Sequence, residues 1–113
     1  MSLMKISPPE ISESVIQDIV QNIVKAFDPE KIILFGSQVN GETRDWSDID
    51  ILVVMDYDSS SVLQAADISL KTKPQGIPVD FIVRTPEEIS ERLEMGDFFI
   101  RNILDKGRIL YER

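Results

Sequence analysis

Apolar residues recur every three or four positions near the start of the chain, and this spacing predicts an amphipathic helix that ends near Phe27. Ser7, followed by prolines and then by Glu10, has the residue order of a helix start. Asp28 and Pro29 end the pattern, because the residue before a proline disfavours helical backbone. The apolar positions of this helix are Ile11, Val15, Ile16, Ile19, Val20, Ile23, Val24 and Phe27.

Four shorter segments have the pattern of β-strands. Residues 31–35 are too few for a helix and are apolar on both sides of the pleat, which predicts a buried strand. Residues 48–55 and 77–83 predict two more strands, and residues 108–111 predict a short closing strand. These segments together predict one small sheet.

Three further helices are predicted at residues 59–73, from Thr85 onward and at residues 97–106. The helix from Thr85 begins with a threonine, a proline and two glutamates, and a Met-Gly pair at residues 95–96 interrupts it. The resulting order α-β-β-α-β-α-α-β predicts an α/β (α+β) fold with helices packed on a small mixed sheet.

Apolar residues on the last and first predicted helices can pack in the core or bind a partner. Phe98, Phe99, Ile103 and Leu104 are predicted to face the core, with a groove for a partner as the alternative. The first helix carries more apolar residues than a small sheet needs, which favours a homo-oligomer or another partner protein.

Composition narrows the function. The 113 residues are 42% hydrophobic and 28% charged, which predicts one soluble domain over residues 1–113. The absence of histidine excludes His-based hydrolysis and His-bound zinc, and the absence of cysteine excludes disulfides. The net charge of −8 disfavours broad binding to nucleic acid or anionic membranes. No signal peptide or membrane-spanning pattern is present, so we expect a cytoplasmic protein.

Two aspartates stand where the second strand begins. Side chains alternate between the faces of a strand, so Asp48 and Asp50 point to the same side, about 6–7 Å apart. Their charges repel, and aspartate is a poor strand former. One explanation is an edge strand that uses charge to prevent pairing between sheets. The other is Mg²⁺, which prefers carboxylate oxygens and relieves the repulsion.

Two further features favour the metal. If the second and third strands are neighbours, Asp80 on the third strand joins Asp48 and Asp50, and three carboxylates suit a two-metal site for phosphoryl or nucleotidyl transfer. Gly36 and Ser37 directly follow the first strand, where a glycine turn can present backbone N–H groups to a phosphate.

This combination resembles the nucleotidyltransferase superfamily related to DNA polymerase beta, and in particular its minimal bacterial and archaeal members. The shared pattern is a Gly-Ser pair, ten residues, two aspartates one residue apart, and a later aspartate on a strand. The resemblance covers residues 31–83 by motif and the remainder by the order of elements.

The resemblance implies a role for each matching residue. Asp48, Asp50 and Asp80 would be catalytic and bind two Mg²⁺ ions, whereas Gly36 and Ser37 would bind the nucleoside triphosphate. The reaction would transfer a nucleoside monophosphate, with ATP as the default donor, to a hydroxyl group. Minimal members are often encoded beside a small helical HEPN protein, and several act as antitoxins that adenylylate it on a tyrosine.

One departure leaves an alternative open. Family members commonly carry arginines where this chain has Gln38 and Asn40, and Arg44 is the nearby residue that would contact the triphosphate instead. The alternative is a catalytically inactive module of the same fold that neutralises a partner protein by contact.

Overall fold

A computed structural model describes residues 13–36, Val39 and residues 49–113 of the chain. Its elements follow the predicted order, and their boundaries differ from the prediction by a few residues at most where both ends are described. They are α1 (Glu13–Phe27), β1 (Lys31–Phe35), β2 (Ile49–Val54), α2 (Ser61–Thr72), β3 (Val79–Arg84), α3 (Pro86–Glu94), α4 (Phe98–Lys106) and β4 (Arg108–Glu112).

The four strands form one mixed sheet in the order β3-β2-β1-β4. β1 pairs antiparallel with β2, from Lys31 opposite Val54 to Phe35 opposite Asp50. β1 also pairs antiparallel with β4, whereas β2 and β3 are parallel. The predicted fold is therefore confirmed, and β2 and β3 are neighbours.

Helices cover both faces of the sheet. One core joins α1 and α2 to the face that contains Ile49, Ile51 and Val53. The other joins α3 and α4 to the face that contains Leu52 and Val54. Because side chains alternate along β2, this central strand contributes buried residues to both cores.

Local capping fixes where three of the helices begin. Ser60 and Asp97 accept hydrogen bonds from backbone N–H groups of α2 and α4. Thr85 forms a capping box with Glu88, as the sequence predicted: Glu88 N donates to Thr85 Oγ1 over 3.0 Å, and Thr85 N donates to Glu88 Oε1 over 2.9 Å. Tyr57 also donates its hydroxyl hydrogen bond to Glu88, which connects α3 to the loop after β2.

The predicted core face of α4 is wrong for its two phenylalanines. Phe98 is 85% exposed and Phe99 is 53% exposed, whereas Ile103 is buried as predicted and Leu104 is half-buried. The reason is helical phase, since the buried stripe is centred on Ile100 and Ile103 and a helix turns about 100° per residue. Phe98 therefore lies on the opposite side of the helix from Ile100.

Within the described residues, no helix is both long enough and apolar enough to span a membrane. The prediction of one domain over residues 1–113 stays a prediction.

Candidate active site

Asp50 and Asp80 lie side by side on the two parallel strands. They are register partners, so their side chains share one face of the sheet on strands about 4.8 Å apart. Asp50 is half-buried and Asp80 is exposed. The predicted carboxylate cluster required β2 and β3 to be neighbours. They are neighbours, and Asp50 and Asp80 lie side by side.

The sequence of each strand explains why the carboxylates stay accessible. On this face Asp50 is followed by the buried Leu52 and Val54, and Asp80 is followed by the half-buried Ile82. The later positions pack against α3 and α4. The helices thus cover the second half of this face, and the aspartates occupy its first half.

Gly36 brings the turn after β1 against the Asp50 carboxylate. Its φ is +80°, a left-handed conformation that L side chains rarely adopt. A Cβ at this position would overlap Oδ2 of Asp50. Two independent constraints therefore require glycine here, and both serve the close approach of backbone to carboxylate.

Three of the predicted site residues and two residues near them are not described by the structure. Asp48, Ser37 and Arg44 lie outside the described residues, as do Gln38 and Asn40. Within the described part of the chain, no group of three or more acidic side chains could hold a metal ion. The structure thus brings together Asp50, Asp80 and Gly36.

The described residues fit the chemistry of the implied metal. Asp50 and Asp80 present hard carboxylate oxygens on one open face, which is the ligand type that Mg²⁺ prefers. Repulsion between two neighbouring like charges is the condition that a divalent cation relieves. These two residues could hold Mg²⁺, with phosphate oxygens filling other positions.

An aromatic contact beside the site was missed by sequence reasoning. Phe35 is the cross-strand partner of Asp50 and lies on the same face. The ring of Phe99 packs edge-to-face on the ring of Phe35, with centroids 5.8 Å apart. The sequence shows that Phe35 directly precedes Gly36, but only the tertiary fold places Phe99 of α4 against Phe35.

Comparisons with known proteins agree on the family. The pattern of the nucleotidyltransferase domain matches residues 15–110. A protein of Methanocaldococcus jannaschii, named a putative protein adenylyltransferase, is 39% identical over 83 residues, which cover 73% of this chain and 78% of that protein. A crystal structure of a putative nucleotidyltransferase from Sulfolobus solfataricus superposes with a TM-score of 0.62.

The solved structure supports the fold alone, since it is 22% identical, over 88% of this chain and 79% of that one. The family match spans most of the chain and includes Gly36, Asp50 and Asp80. The resemblance inferred from the sequence is thereby confirmed: this chain belongs to the nucleotidyltransferase domain family.

Proposed function

We propose that this protein transfers a nucleoside monophosphate from a nucleoside triphosphate to a hydroxyl group in a Mg²⁺-dependent reaction. The observation that carries the proposal is the in-register pair Asp50 and Asp80, with Gly36 against the Asp50 carboxylate. A glycine turn beside carboxylates can bring backbone N–H groups and a metal site to the same triphosphate.

The proposed roles follow the chemistry of each group. Asp50 and Asp80, together with Asp48, would hold two Mg²⁺ ions, and Gly36, Ser37 and Arg44 would orient the triphosphate. Bound Mg²⁺ would supply neutralisation of phosphate charge and a lower pKa for the acceptor hydroxyl. The chain's own residues position the α-phosphate for attack, which is the larger part of catalysis in phosphoryl transfer.

The donor and acceptor are proposed from the similar protein and from the family. The name of the relative from Methanocaldococcus jannaschii, 39% identical, supports transfer of an adenylyl group to a protein. The family resemblance supports ATP as the donor and a hydroxyl group as the acceptor. A HEPN-type toxin is the acceptor that the family resemblance favours, with the chain acting as antitoxin in the cytoplasm. We therefore propose protein adenylylation as the specific reaction.

A second candidate function is neutralisation of a partner by contact. It is favoured by Gln38 and Asn40, which stand where arginines are common in the family. Calorimetric titration with ATP separates the two functions, because only an enzyme of the proposed kind requires nucleotide binding that strengthens with Mg²⁺.

Transfer can be tested directly with ATP radiolabelled at the α-phosphate, Mg²⁺ and the protein encoded beside this chain. We expect label on the acceptor and a loss of at least about a hundredfold in rate for Asp50→Asn and for Asp80→Asn, because each removes a carboxylate charge from the site. Asp56→Asn is the matched control, since Asp56 is an exposed residue of the loop after β2.

Label transfer that persists in Asp50→Asn and Asp80→Asn would remove the assignment. Equal loss in Asp56→Asn would show that general charge, and not the paired carboxylates, supports the reaction. Circular dichroism of each variant checks that the fold is intact.

A further inference from the structure

β3 is an edge strand, and its backbone alternates between the sheet and the outside. Ile49 N donates to Pro78 O and Met55 N donates to Arg84 O, each over 3.1 Å. These bonds mark the two ends of the parallel ladder and show that even-numbered residues of β3 face β2. The N–H and C=O groups of Val79, Phe81 and Val83 therefore point away from the sheet.

Among the described residues, a side chain covers only one end of this outer edge. Arg84 Nη1 donates to Val83 O over 2.8 Å, so the chain's own guanidinium covers the far end of the edge. Val79 and Phe81 make no outward backbone hydrogen bond with any other described residue. These outward groups of Val79 and Phe81 flank Asp80, so a backbone edge that no described segment pairs with lies directly beside the candidate site.

A shallow groove with apolar and polar lining follows the same edge. Its apolar part is formed by Val62 and Ala65 of α2 and by Phe81 and Val83 of β3, and Ser61 and Arg84 add polar groups to the lining. Val62 is 75% exposed, which is a large exposed fraction for a β-branched apolar side chain. Phe81 and Val83 pack in the α1–α2 core, so the part of the groove between them and α2 lies on the face opposite Asp80.

We propose that the acceptor polypeptide binds as an extended strand along β3, antiparallel to it, with its hydroxyl residue opposite Asp80. This inference rests on the proposed function and specifies how that function would take its substrate. An unpaired strand edge beside apolar positions is the arrangement that binds extended peptides by β-strand addition.

Antiparallel geometry determines which acceptor residue reaches the site. The acceptor residues opposite Val79 and Phe81 exchange backbone hydrogen bonds with these two residues. The side chains of those acceptor residues point to the groove beside Val62. The residue between them faces Asp80 as a non-hydrogen-bonded pair, in which side chains lie closest. The acceptor pattern is therefore apolar, hydroxyl, apolar.

In the transfer step, one bond to the α-phosphorus forms and one breaks. The hydroxyl oxygen forms a bond to the α-phosphorus of the nucleotide, and the bond between that phosphorus and the bridging oxygen to the β-phosphate breaks. Pyrophosphate leaves with the bond's electrons, and the hydroxyl proton passes to solvent.

The probe is a fluorescently labelled nine-residue peptide with a central tyrosine between two valines and a lysine at each end. Its binding is measured by fluorescence anisotropy without nucleotide, so the result is independent of turnover. We expect methylation of the two valine backbone nitrogens to weaken binding about 25-fold, since each lost hydrogen bond is worth about fivefold.

The protein supplies a matched pair of variants. Phe81→Pro removes an outward N–H and leaves the β2–β3 ladder intact, because proline is tolerated where the N–H faces away from a sheet. Phe81→Ala loses the same aromatic ring and keeps the N–H. We expect the proline variant to bind the peptide about fivefold more weakly than the alanine variant.

Equal binding by the two variants, or by the methylated and unmethylated peptides, would overturn the proposal. A doubled mass in light scattering that Phe81→Pro returns to a monomer would overturn it too, because a second copy would then occupy the edge. Peptide binding without any label transfer would contradict the proposed function alone, and transfer to an acceptor with no edge binding would contradict this inference alone.

Discussion

Gly36 directly follows β1 with a φ of +80°, and its Cα faces the carboxylate of Asp50. At this residue the conformation of the backbone and the geometry of the candidate site depend on the same missing Cβ. Any larger residue would have to adopt a strained conformation and also displace the carboxylate, so the two penalties cannot be relieved separately.

We predict that Gly36→Ala lowers the free energy of unfolding by about 1–3 kcal/mol, from left-handed strain and overlap, and abolishes transfer. Gly76→Ala is the matched control, because Gly76 has a φ of +82° and open space where a Cβ would lie. The Gly76→Ala variant should lose stability from left-handed strain but retain transfer activity. Urea unfolding and the transfer assay measure both properties, and an active Gly36→Ala enzyme would contradict the prediction.

At the scale of elements, Thr85, Glu88 and Tyr57 connect the start of α3 to the loop after β2. The Thr85 side chain and the Glu88 side chain each satisfy a backbone N–H at the helix start. Glu88 also accepts the hydrogen bond of Tyr57, so one carboxylate serves the cap and the tertiary contact.

The cap should contribute measurably to stability. We expect Thr85→Ala to lower the free energy of unfolding by about 1 kcal/mol, the typical cost of losing an N-cap side chain. Ser90→Ala, on an exposed position within α3, should change it by less than about 0.5 kcal/mol. Chemical denaturation compares the two variants, and equal effects would show that the capping box adds nothing.

The Tyr57 contact predicts a pH dependence. Burial, and then the hydrogen bond to Glu88, raises the pKa of Tyr57 to about 12. The same hydrogen bond is the main cause that lowers the pKa of Glu88. A raised tyrosine pKa means that the folded state keeps its proton longer, so this contribution to stability is lost as the pH rises from about 10 to about 12.

Ultraviolet titration of tyrosinate should resolve a component near pH 12 that is lost in Tyr57→Phe. For Glu88 the sign is opposite: its contribution is present above the unfolded pKa and is lost as the pH falls through the lowered folded value. A spectrum in which Tyr57→Phe removes only a component near pH 10 would show that the contact to Glu88 does not form in solution.

At the scale of the whole molecule, β2 connects both cores and both neighbouring strands. It pairs with β1 on one side and β3 on the other, and Leu52 is fully buried at its centre. The residues that follow Asp50 therefore stabilise the sheet that carries the site.

We expect Leu52→Ala to lower the free energy of unfolding by about 2–5 kcal/mol, because it leaves a cavity between the sheet and α4. Val62→Ala, at a side chain that is 75% exposed, should change it by less than about 0.5 kcal/mol. Thermal and urea unfolding test the difference, and a small effect of Leu52→Ala would mean that the core rearranges around the cavity.

Much of the fold was predictable because its signals are local. The elements follow from hydrophobic periodicity, and the starts of α3 and α4 follow from caps within four residues of each helix. Strand geometry likewise places Asp50 and Leu52 on one face of β2 and Ile51 on the other. The faces of the two strands were therefore predictable, and so was the choice of Asp50 and Asp80 as candidates.

The tertiary structure decided which elements meet. β3 lies parallel to β2 with Asp80 beside Asp50 because hydrogen bonds form between segments about 30 residues apart, and the entropy cost of closing that loop is offset by contacts that no local pattern specifies. The exposure of Phe98, the contact between Phe99 and Phe35 and the position of β3 at the edge of the described sheet also depend on the tertiary structure. Short-range patterns specify the elements, but the neighbours of each element depend on packing across the whole chain.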